Sequence, residues 1–525
     1  VPTSPTSQQH SSALRDALSD PAAYPHLADA GHEASVAVHE THISWVFLAG
    51  RFAYKVKKPI ETPFLDYSTL EKRQRCCHDE VRLNRRYAKS LYVDVVPIVR
   101  QSGHWRVEGE GEAVEFAVKM HRFPDDALLS DRLTAGHFPD RDVSRLAHVV
   151  ADFHRDAPAC NASSTPPTKP PFGRPSDILR DAEDNLQALQ NLPSSPQRTQ
   201  RNELQRWTKE FFAAHRDELE HRMTSGFIRE CHGDLHLGNV IDWEGKLLPF
   251  DGIEFNESFR HIDVLSDAAF LAMDFAARER LDLCRSFCSA YLERTGDYRS
   301  LPLLRWYLVY RALVRAKVAA MRAEQLAAAD SDAAETPSGE SAAAWQDCLS
   351  HIDLAHRFTL HQTPRLWITH GVSGSGKTTR SEAIVRQHGA LRVRSDVERK
   401  RHFGLSPDEE VPGYRKPVLY SSVATKVTYG RLWELARAIL RGGFSVIVDA
   451  TFLKLGDRER FQQLAETEGA TFGIVHCEAD ATTLRQRIQY RTTEQQDASD
   501  ADLSVLEHQL ASQEPLTSAE LAHVG

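Results

Sequence analysis

No stretch of this sequence approaches the run of about eighteen uninterrupted apolar residues that a bilayer-spanning helix needs. The opening residues, VPTSPTSQQHSS, are polar and lack the apolar core of a signal peptide, so the expectation is a cytoplasmic protein without a membrane partner. Cysteine is sparse and has no framework spacing. Cys76 and Cys77 are adjacent, Cys284 and Cys288 stand four apart with no second pair to complete a zinc site, and Cys160, Cys231, Cys348 and Cys477 are scattered. Reduced thiols packed on helices are the expected outcome. Excess positive charge is missing as well: 64 Lys and Arg against 73 Asp and Glu leave a formal charge of −9. No global field therefore draws the chain to nucleic acid or anionic lipid, although a local basic groove stays open. Internal repeats are absent.

What is present is a chain of 525 residues, too long for one ordinary core, so two or three domains are expected. Apolar residues at 41% and charged residues at 26% describe a soluble globular protein. Three stretches are poor in core-forming residues: the first dozen, NASSTPPTKPPFGRPS (161–176) and EQLAAADSDAAETPSGESAAA (324–344). The last is the best interdomain tract. A helix-like segment follows it, and strand character resumes at TPRLWITHG, which puts a boundary near 360. The expected layout is a tail and short helix over 1–25, a first domain over 26–323, a linker and helix over 324–360, and a second domain over 361–525.

The first domain opens with strand-like runs (ISWVFLAG, RFAYKVKKPI, LYVDVVPIVR, HWRVEG, AVEFAVKM) interrupted by a charged helical stretch from Ser68 to Ala88. Long amphipathic helices dominate after residue 125, so a two-lobed α+β domain is expected. The second domain alternates strand and helix through LWITH, ALRVRS, FSVIVDA and TFGIVHCEA. That pattern implies α/β architecture with a doubly wound parallel sheet.

Residues 371–378, GVSGSGKT, satisfy G-x-x-x-x-G-K-[ST] between an expected strand and an expected helix. The glycines allow backbone N–H groups to point inward at phosphates, and the helix N-terminus adds partial positive charge. Gly371, Gly374, Ser375, Gly376, Lys377, Thr378 and Thr379 are the nucleotide-binding candidates, with Lys377 reaching the β- and γ-phosphates and the Thr378 hydroxyl ligating Mg²⁺. The next strand ends at RSDVERKR, placing Asp396 where open α/β sheets bind ligands. A carboxylate there can act as general base toward an acceptor hydroxyl, or simply begin the following helix. Arg399 can hold an anion, and Asp449, at the end of FSVIVDAT, can bind Mg²⁺ through water or orient substrate. Arg487 and Arg491 fall on one helix face at i, i+4 and can close over phosphates, although exposed helix charges are common.

Residues 231–239, CHGDLHLGN, set Asp234 and Asn239 five apart, as in the catalytic loop of protein kinases. Asp234 would take the acceptor proton and Asn239 would bind Mg²⁺. An apolar strand, LLPF, then delivers Asp251 as a second metal ligand. Upstream, FAYK makes Lys55 the candidate for the α- and β-phosphates, with Glu80 as its ion-pair partner. Lys57 shares the strand face of Lys55 and is a weaker candidate; Lys119, in a similar FAVK, is expected to be structural. A Gly-rich loop over the phosphates is reduced to LAGR (48–51).

The carboxy-terminal motifs (the P-loop, Ser-Asp with an Arg three positions later, D-A-T-F, and the paired arginines) resemble the P-loop kinases that include zeta-toxin-like kinases and polynucleotide kinases. That resemblance covers about 360–510 and implies a general base at Asp396 and phosphate contacts for Arg399, Arg487 and Arg491. The H-G-D-L-H-x-x-N variant, with RHIDVLSD (260–267) and its structural Asp263, resembles the aminoglycoside phosphotransferase and choline-kinase branch over about 35–325. The tandem order is similar to bacterial bifunctional proteins that fuse two such modules. It implies ATP or another NTP with Mg²⁺, and phosphoryl transfer to hydroxyl acceptors, small molecules in the main reading. A nucleic-acid 5′-hydroxyl kinase and a nucleotide-regulated switch are the alternatives.

Overall fold

The computed structural model describes residues 5–27, 35–160, 171–330, 339–360, 362–409, 411–494 and 503–525. The Pro-rich stretch 161–170 and the centre of the acidic tract, 331–338, lie outside the described residues. By compactness the chain divides into one unit of residues 1–139, 156–174 and 222–267, and a second of 140–155, 175–221 and 268–525.

In the first unit, β1 (Val36–Glu40), β2 (Ser44–Ala49), β3 (Phe52–Lys57), β6 (Tyr92–Gln101), β7 (His104–Val107) and β8 (Ala113–His121) form an antiparallel sheet in the order β1-β2-β3-β8-β6-β7. A small hairpin, β4 (Glu61–Thr62) and β5 (Leu65–Asp66), follows β3. Alternation along β3 decides which side chains meet which core. Tyr54 and Val56 join Trp45, Phe47 and Ile98 on one face, where Leu14 and Leu18 of the helix Pro5–Leu18 also pack. The expected tail is thus helical from Pro5. Ala53 points to the other face with Cys77, Val81 and Met120, and the period of two puts Lys55 and Lys57 on that side, toward the helix Leu70–Asn84. Thr69 caps this helix by accepting from Lys72 N. Downstream, β9 (Ile228–Glu230) pairs with β12 (His261–Asp263), and β10 (Val240–Trp243) with β11 (Lys246–Pro249). Residues 231–239 fill the passage from β9 to β10, and Asp251 comes two residues after β11. The β10–β11 hairpin therefore delivers both Asn239 and Asp251.

The second unit holds β13 (Arg365–His370), β14 (Leu391–Arg394), β15 (Val446–Asp449) and β16 (Thr471–His476), all parallel in the order β14-β15-β13-β16. Its helices include Leu281–Thr295, Leu301–Asp330 and Gly339–Thr359. The last two pack along one another, and the Ser341 hydroxyl donates to Ala323 O at 3.0 Å. The tract expected as a linker is therefore helical at both described ends: Ala is the strongest helix former, and low complexity is no bar to a helix. The helix Leu281–Thr295 lies against β14, where Arg392 N donates to the Ser289 hydroxyl at 3.0 Å and the Arg392 guanidinium pairs with Glu293. The antiparallel sheet with its helices and the separate four-stranded parallel sheet match the expected α+β and α/β architectures. Among the described residues no helix is long and apolar enough to cross a membrane.

Candidate active sites

In the second unit, β13 runs into the glycine loop and the helix Lys377–His388. Gly371 sits at φ +148°, and a Cβ there would collide with the Cys477 carbonyl, so only glycine serves at the loop's start. The loop opens on a cavity of about 820 Å³ whose walls include Gly374, Gly376, Lys377, Thr378, Asp396 and Asp449. Asp449 ends β15 and accepts from the Ser381 hydroxyl at 2.9 Å, which fixes the carboxylate beside the helix that carries Thr378. A hydroxyl and a carboxylate on one wall are the hard oxygen donors that suit Mg²⁺.

Asp396 lies in the first turn of the helix Ser395–His402, after the N-cap position held by Arg394, and it lines the cavity. Arg399 lines it too. Its guanidinium stacks over Tyr420 at 5.0 Å and donates to Leu419 O at 2.8 Å, while its buried Nε finds no partner among the described residues. Arg487 donates to Gly374 O at 3.0 Å, so it is anchored on the loop itself. Arg491 follows on the same helix with its side chain outside the described residues. Thr379 is exposed, and neither it nor Gly371 nor Ser375 borders the cavity. Gln509 was not anticipated: its Oε1 accepts from Ser373 N at 2.7 Å, so a distant helix holds one loop amide.

In the first unit, Lys55 Nζ lies 3.0 Å from Glu80 Oε1 and also pairs with Asp251. Glu80 is fully buried, and its other oxygen meets Lys57 Nζ at 2.7 Å. Burial pushes the Glu80 carboxyl up, but the two ammonium groups outweigh it and hold the group at about 2. Burial likewise opposes charge on Lys55, and Asp251 with Glu80 reverses this, raising it above the usual lysine range. Lys57, the weaker sequence candidate, is 0% exposed, with Glu80, Glu254 and Tyr67 around its ammonium. Lys119 pairs with Glu108 at 2.7 Å over the Phe52 ring, a structural placement.

Asn239 donates through Nδ2 to Asp234 O at 2.9 Å, which leaves its amide oxygen to accept or ligate. With the half-exposed Asp251 carboxylate this too is an oxygen donor pair that fits Mg²⁺. The turn before Asp234 is built by two residues. Gly233 adopts φ +89°, and a Cβ there would meet Phe259 O at 2.7 Å. His232 donates from Nε2 to Phe250 O at 2.8 Å and accepts from Asp234 N at Nδ1, the tautomer of a neutral ring; burial pushes its pKa below the usual histidine range. Asp267, fully buried, accepts from His232 N at 3.0 Å and Gly233 N at 2.9 Å. Asp263 instead pairs with the buried Arg222 through two contacts of 2.6 Å.

An AAA-domain family model matches residues 366–516. Over 470 residues the chain is 30% identical to the uncharacterized protein Rv2004c of Mycobacterium tuberculosis, an alignment that covers 89% of this chain and 88% of the relative. The chain belongs to the same family. Its relative in Mycobacterium bovis, the uncharacterized protein Mb2027c, matches equally well. Among solved structures, a choline/ethanolamine kinase family protein from Mesorhizobium loti aligns with 66% of this chain and 99% of its own at 13% identity and a TM-score of 0.37. A sugar kinase from a Janibacter species aligns with 30% of this chain and 82% of its own at 23% identity and a TM-score of 0.23. Residues 366–516 of this family member carry the AAA domain, with the P-loop at 371–378.

The residues missed by sequence are Asp267, Glu254, Tyr67 and Gln509. Asp267 had a signal, since it closes the same RHIDVLSD string as Asp263. Glu254 follows Asp251 by three residues, but nothing local marks its partner. Tyr67 and Gln509 carry no sequence signal.

Proposed function

We propose that the chain transfers the γ-phosphoryl of ATP, or another NTP, to hydroxyl acceptors at two sites, one within residues 26–323 and one within 361–525, and that the acceptors are small molecules. In the carboxy-terminal module Asp396 takes the acceptor proton, Lys377 and the loop amides hold the phosphates, and Arg399, Arg487 and Arg491 meet transferred charge. In the amino-terminal module Asp234 is the base, and Lys55, oriented by Glu80, contacts the α- and β-phosphates. Thr378 with Asp449, and Asn239 with Asp251, would hold Mg²⁺, which when bound neutralises charge on the phosphate oxygens. The observation that carries the reading is the shared cavity, in which Lys377 and Thr378 border the same space as Asp396.

A second reading, phosphorylation of a nucleic-acid 5′-hydroxyl by the carboxy-terminal module, draws on the cavity's cations: Arg394, Arg399, Lys426, Lys454 and Arg460. An acceptor with phosphates of its own would meet them favourably.

The test is transfer of label from γ-labelled ATP to separate panels of sugars, amino alcohols, aminoglycosides, nucleosides and 5′-hydroxyl oligonucleotides. Asp234→Ala and Asp396→Ala variants are run in parallel. Transfer to a small molecule that one of these variants abolishes is the expected result. Transfer to oligonucleotide lost only in Asp396→Ala selects the second reading. Nucleotide binding at both sites with no transfer to water or any acceptor sinks the catalytic proposal and leaves a switch.

A further inference from the structure

The charged groups around Lys55 close into a ring. Asp251 pairs with Lys55, Lys55 with Glu80, Glu80 with Lys57, and Lys57 with Glu254, and Glu254 returns to Asp251 through only two intervening residues. Three carboxylates and two ammonium groups thus connect β3, the helix Leu70–Asn84 and the segment after β11. Tyr67 closes the far side, its hydroxyl donating to Glu254 and standing 3.3 Å from Lys57 Nζ.

The two lysines play unlike parts in it. An ammonium has three donors. Those of Lys57 are matched by Glu80, Glu254 and Tyr67 in a site with no solvent exposure, so none is left for a ligand. Among the described residues Lys55 spends two, on Glu80 and Asp251, and keeps one.

The segment itself is held in an uncommon shape. Asp251 has φ +61°, a left-handed conformation that a non-glycine residue keeps only when its surroundings impose it. The constraints are visible: Asp251 N donates to the Tyr92 hydroxyl at 3.1 Å, Gly252 N to Asn84 Oδ1 at 2.9 Å, and Ile253 N to His232 O at 2.9 Å. Arg260 donates to Glu254 O at 3.0 Å. Beside these ties to its backbone, the segment is anchored through its side chains by the Asp251–Lys55 and Glu254–Lys57 ion pairs and by the Tyr67 hydroxyl on Glu254.

We infer that Lys57 and Glu254 are positioning residues of the amino-terminal site, which lock Glu80 and the Asp251 segment so that Lys55 and Asp251 keep their places when a metal-bound nucleotide draws on both. The inference rests on the reading of this module as a nucleotide site. When Asp251 turns from Lys55 to a cation, Glu80 still orients Lys55, because Lys57 neutralises the other carboxylate oxygen. The segment stays anchored because Glu254 does not move with Asp251.

The experiment uses the full chain carrying Lys377→Ala, so that calorimetric ATP binding at a series of Mg²⁺ concentrations reports the amino-terminal site. Lys57→Met and Glu254→Gln are each expected to raise the Mg²⁺ concentration for half-maximal ATP binding by about tenfold or more, as losses in the outer shell of a metal site do. Circular dichroism at the assay temperature establishes that each variant is folded. Lys57→Met takes the ammonium from buried Glu254 and one of two from buried Glu80, and is the one at risk of not folding; Glu254→Gln keeps the side-chain shape and carries the test alone in that case. A folded Glu254→Gln protein that melts earlier but keeps its Mg²⁺ midpoint within about twofold, well short of the outer-shell effect, overturns the inference, because the pair would then serve stability only. Asp251→Asn is the control for the underlying reading. If it leaves the midpoint unchanged, the nucleotide assignment of the module falls, whatever Lys57 does.

Discussion

Asp267 offers the sharpest check on how the turn before Asp234 is held. Its two oxygens accept from His232 N and Gly233 N, at 3.0 and 2.9 Å, in a site with no solvent exposure. Asp267→Ala leaves two buried N–H groups without their acceptor. Each charge-assisted bond of this kind is worth about 1.5 to 3 kcal/mol, so the loss should be about 3 to 6 kcal/mol, a large share of a domain's stability. Asp267→Asn retains one carbonyl acceptor and turns an amide NH₂ toward the other N–H, so it should lose about half as much. Equilibrium urea unfolding followed by circular dichroism reads the difference. The turn also sets where Asp234 stands, and a displacement near 1 Å at a reacting group costs about a hundredfold in rate. Label transfer dependent on Asp234 should therefore fall about that far in Asp267→Asn at temperatures where the variant is folded. Equal losses for Ala and Asn, or a loss below about 1 kcal/mol for Ala, the worth of an ordinary neutral bond, would refute the claim that both bonds hold the turn.

Three further outcomes follow from other parts of the molecule. Arg458 is buried and bonds Glu520 through two contacts, at 2.6 and 3.1 Å, as well as the Phe452, Glu514 and Pro515 carbonyls, so Arg458→Met should cost about 3 to 5 kcal/mol in urea unfolding by stranding the Glu520 carboxylate. A loss under about 1 kcal/mol, the level of a surface pair, would show that the network carries no stability. Burial, with His476 2.8 Å away, lowers His370 from 6.5 to about 4. The unfolded chain takes up this proton first, so stability is full above pH 6.5 and about 3 kcal/mol of it drains away as pH falls toward 4. Unfolding midpoints measured across that window should flatten in His370→Gln, and an unchanged slope contradicts the assignment. Gly371→Ala drives a methyl group into the Cys477 carbonyl and strains a left-handed position by about 1 to 3 kcal/mol, so the ATP site of the carboxy-terminal module should disappear from a binding titration while the other persists.

The strands were legible because period-two alternation and β-branched or aromatic residues mark them directly, as in SWVFLA and FAYKVK. The P-loop was legible for a different reason: its glycines are demanded by backbone geometry that no other residue supplies, so the spacing is itself the structure. Composition misled in two places. The Ala-rich tract after residue 324 read as a linker, yet its described ends continue helices, because small residues that build no core still propagate a helix well. The polar first dozen residues read as a tail, yet the helix begins already at Pro5 and carries Leu14 and Leu18 to the sheet from one face. Long-range partnership stayed hidden. Lys55 and Lys57 share a strand face, so sequence offered both. What separates them is Glu254 and Tyr67, residues that no local pattern ties to a lysine.

That separation generalises to a rule about which buried charges face a ligand. A buried donor without an acceptor costs about 1 to 3 kcal/mol, so the fold fills donors wherever nothing else will fill them. Arg458 is filled by carbonyls and by Glu520, Lys57 by two carboxylates and a tyrosine, and Arg222 by both oxygens of Asp263. All three are buried, and all three are structural by this criterion. Arg399 is also buried, at 6% exposed, but its Nε has no acceptor among the described residues and the side chain borders the cavity that Asp396 and Lys377 share. Lys55 keeps one donor unspent beside Asp251 among the described residues. Among these buried cations the unfilled donors thus fall at the two places where the sequence motifs set an aspartate near a candidate phosphate-binding lysine, and an anion supplied from solution is what would complete them.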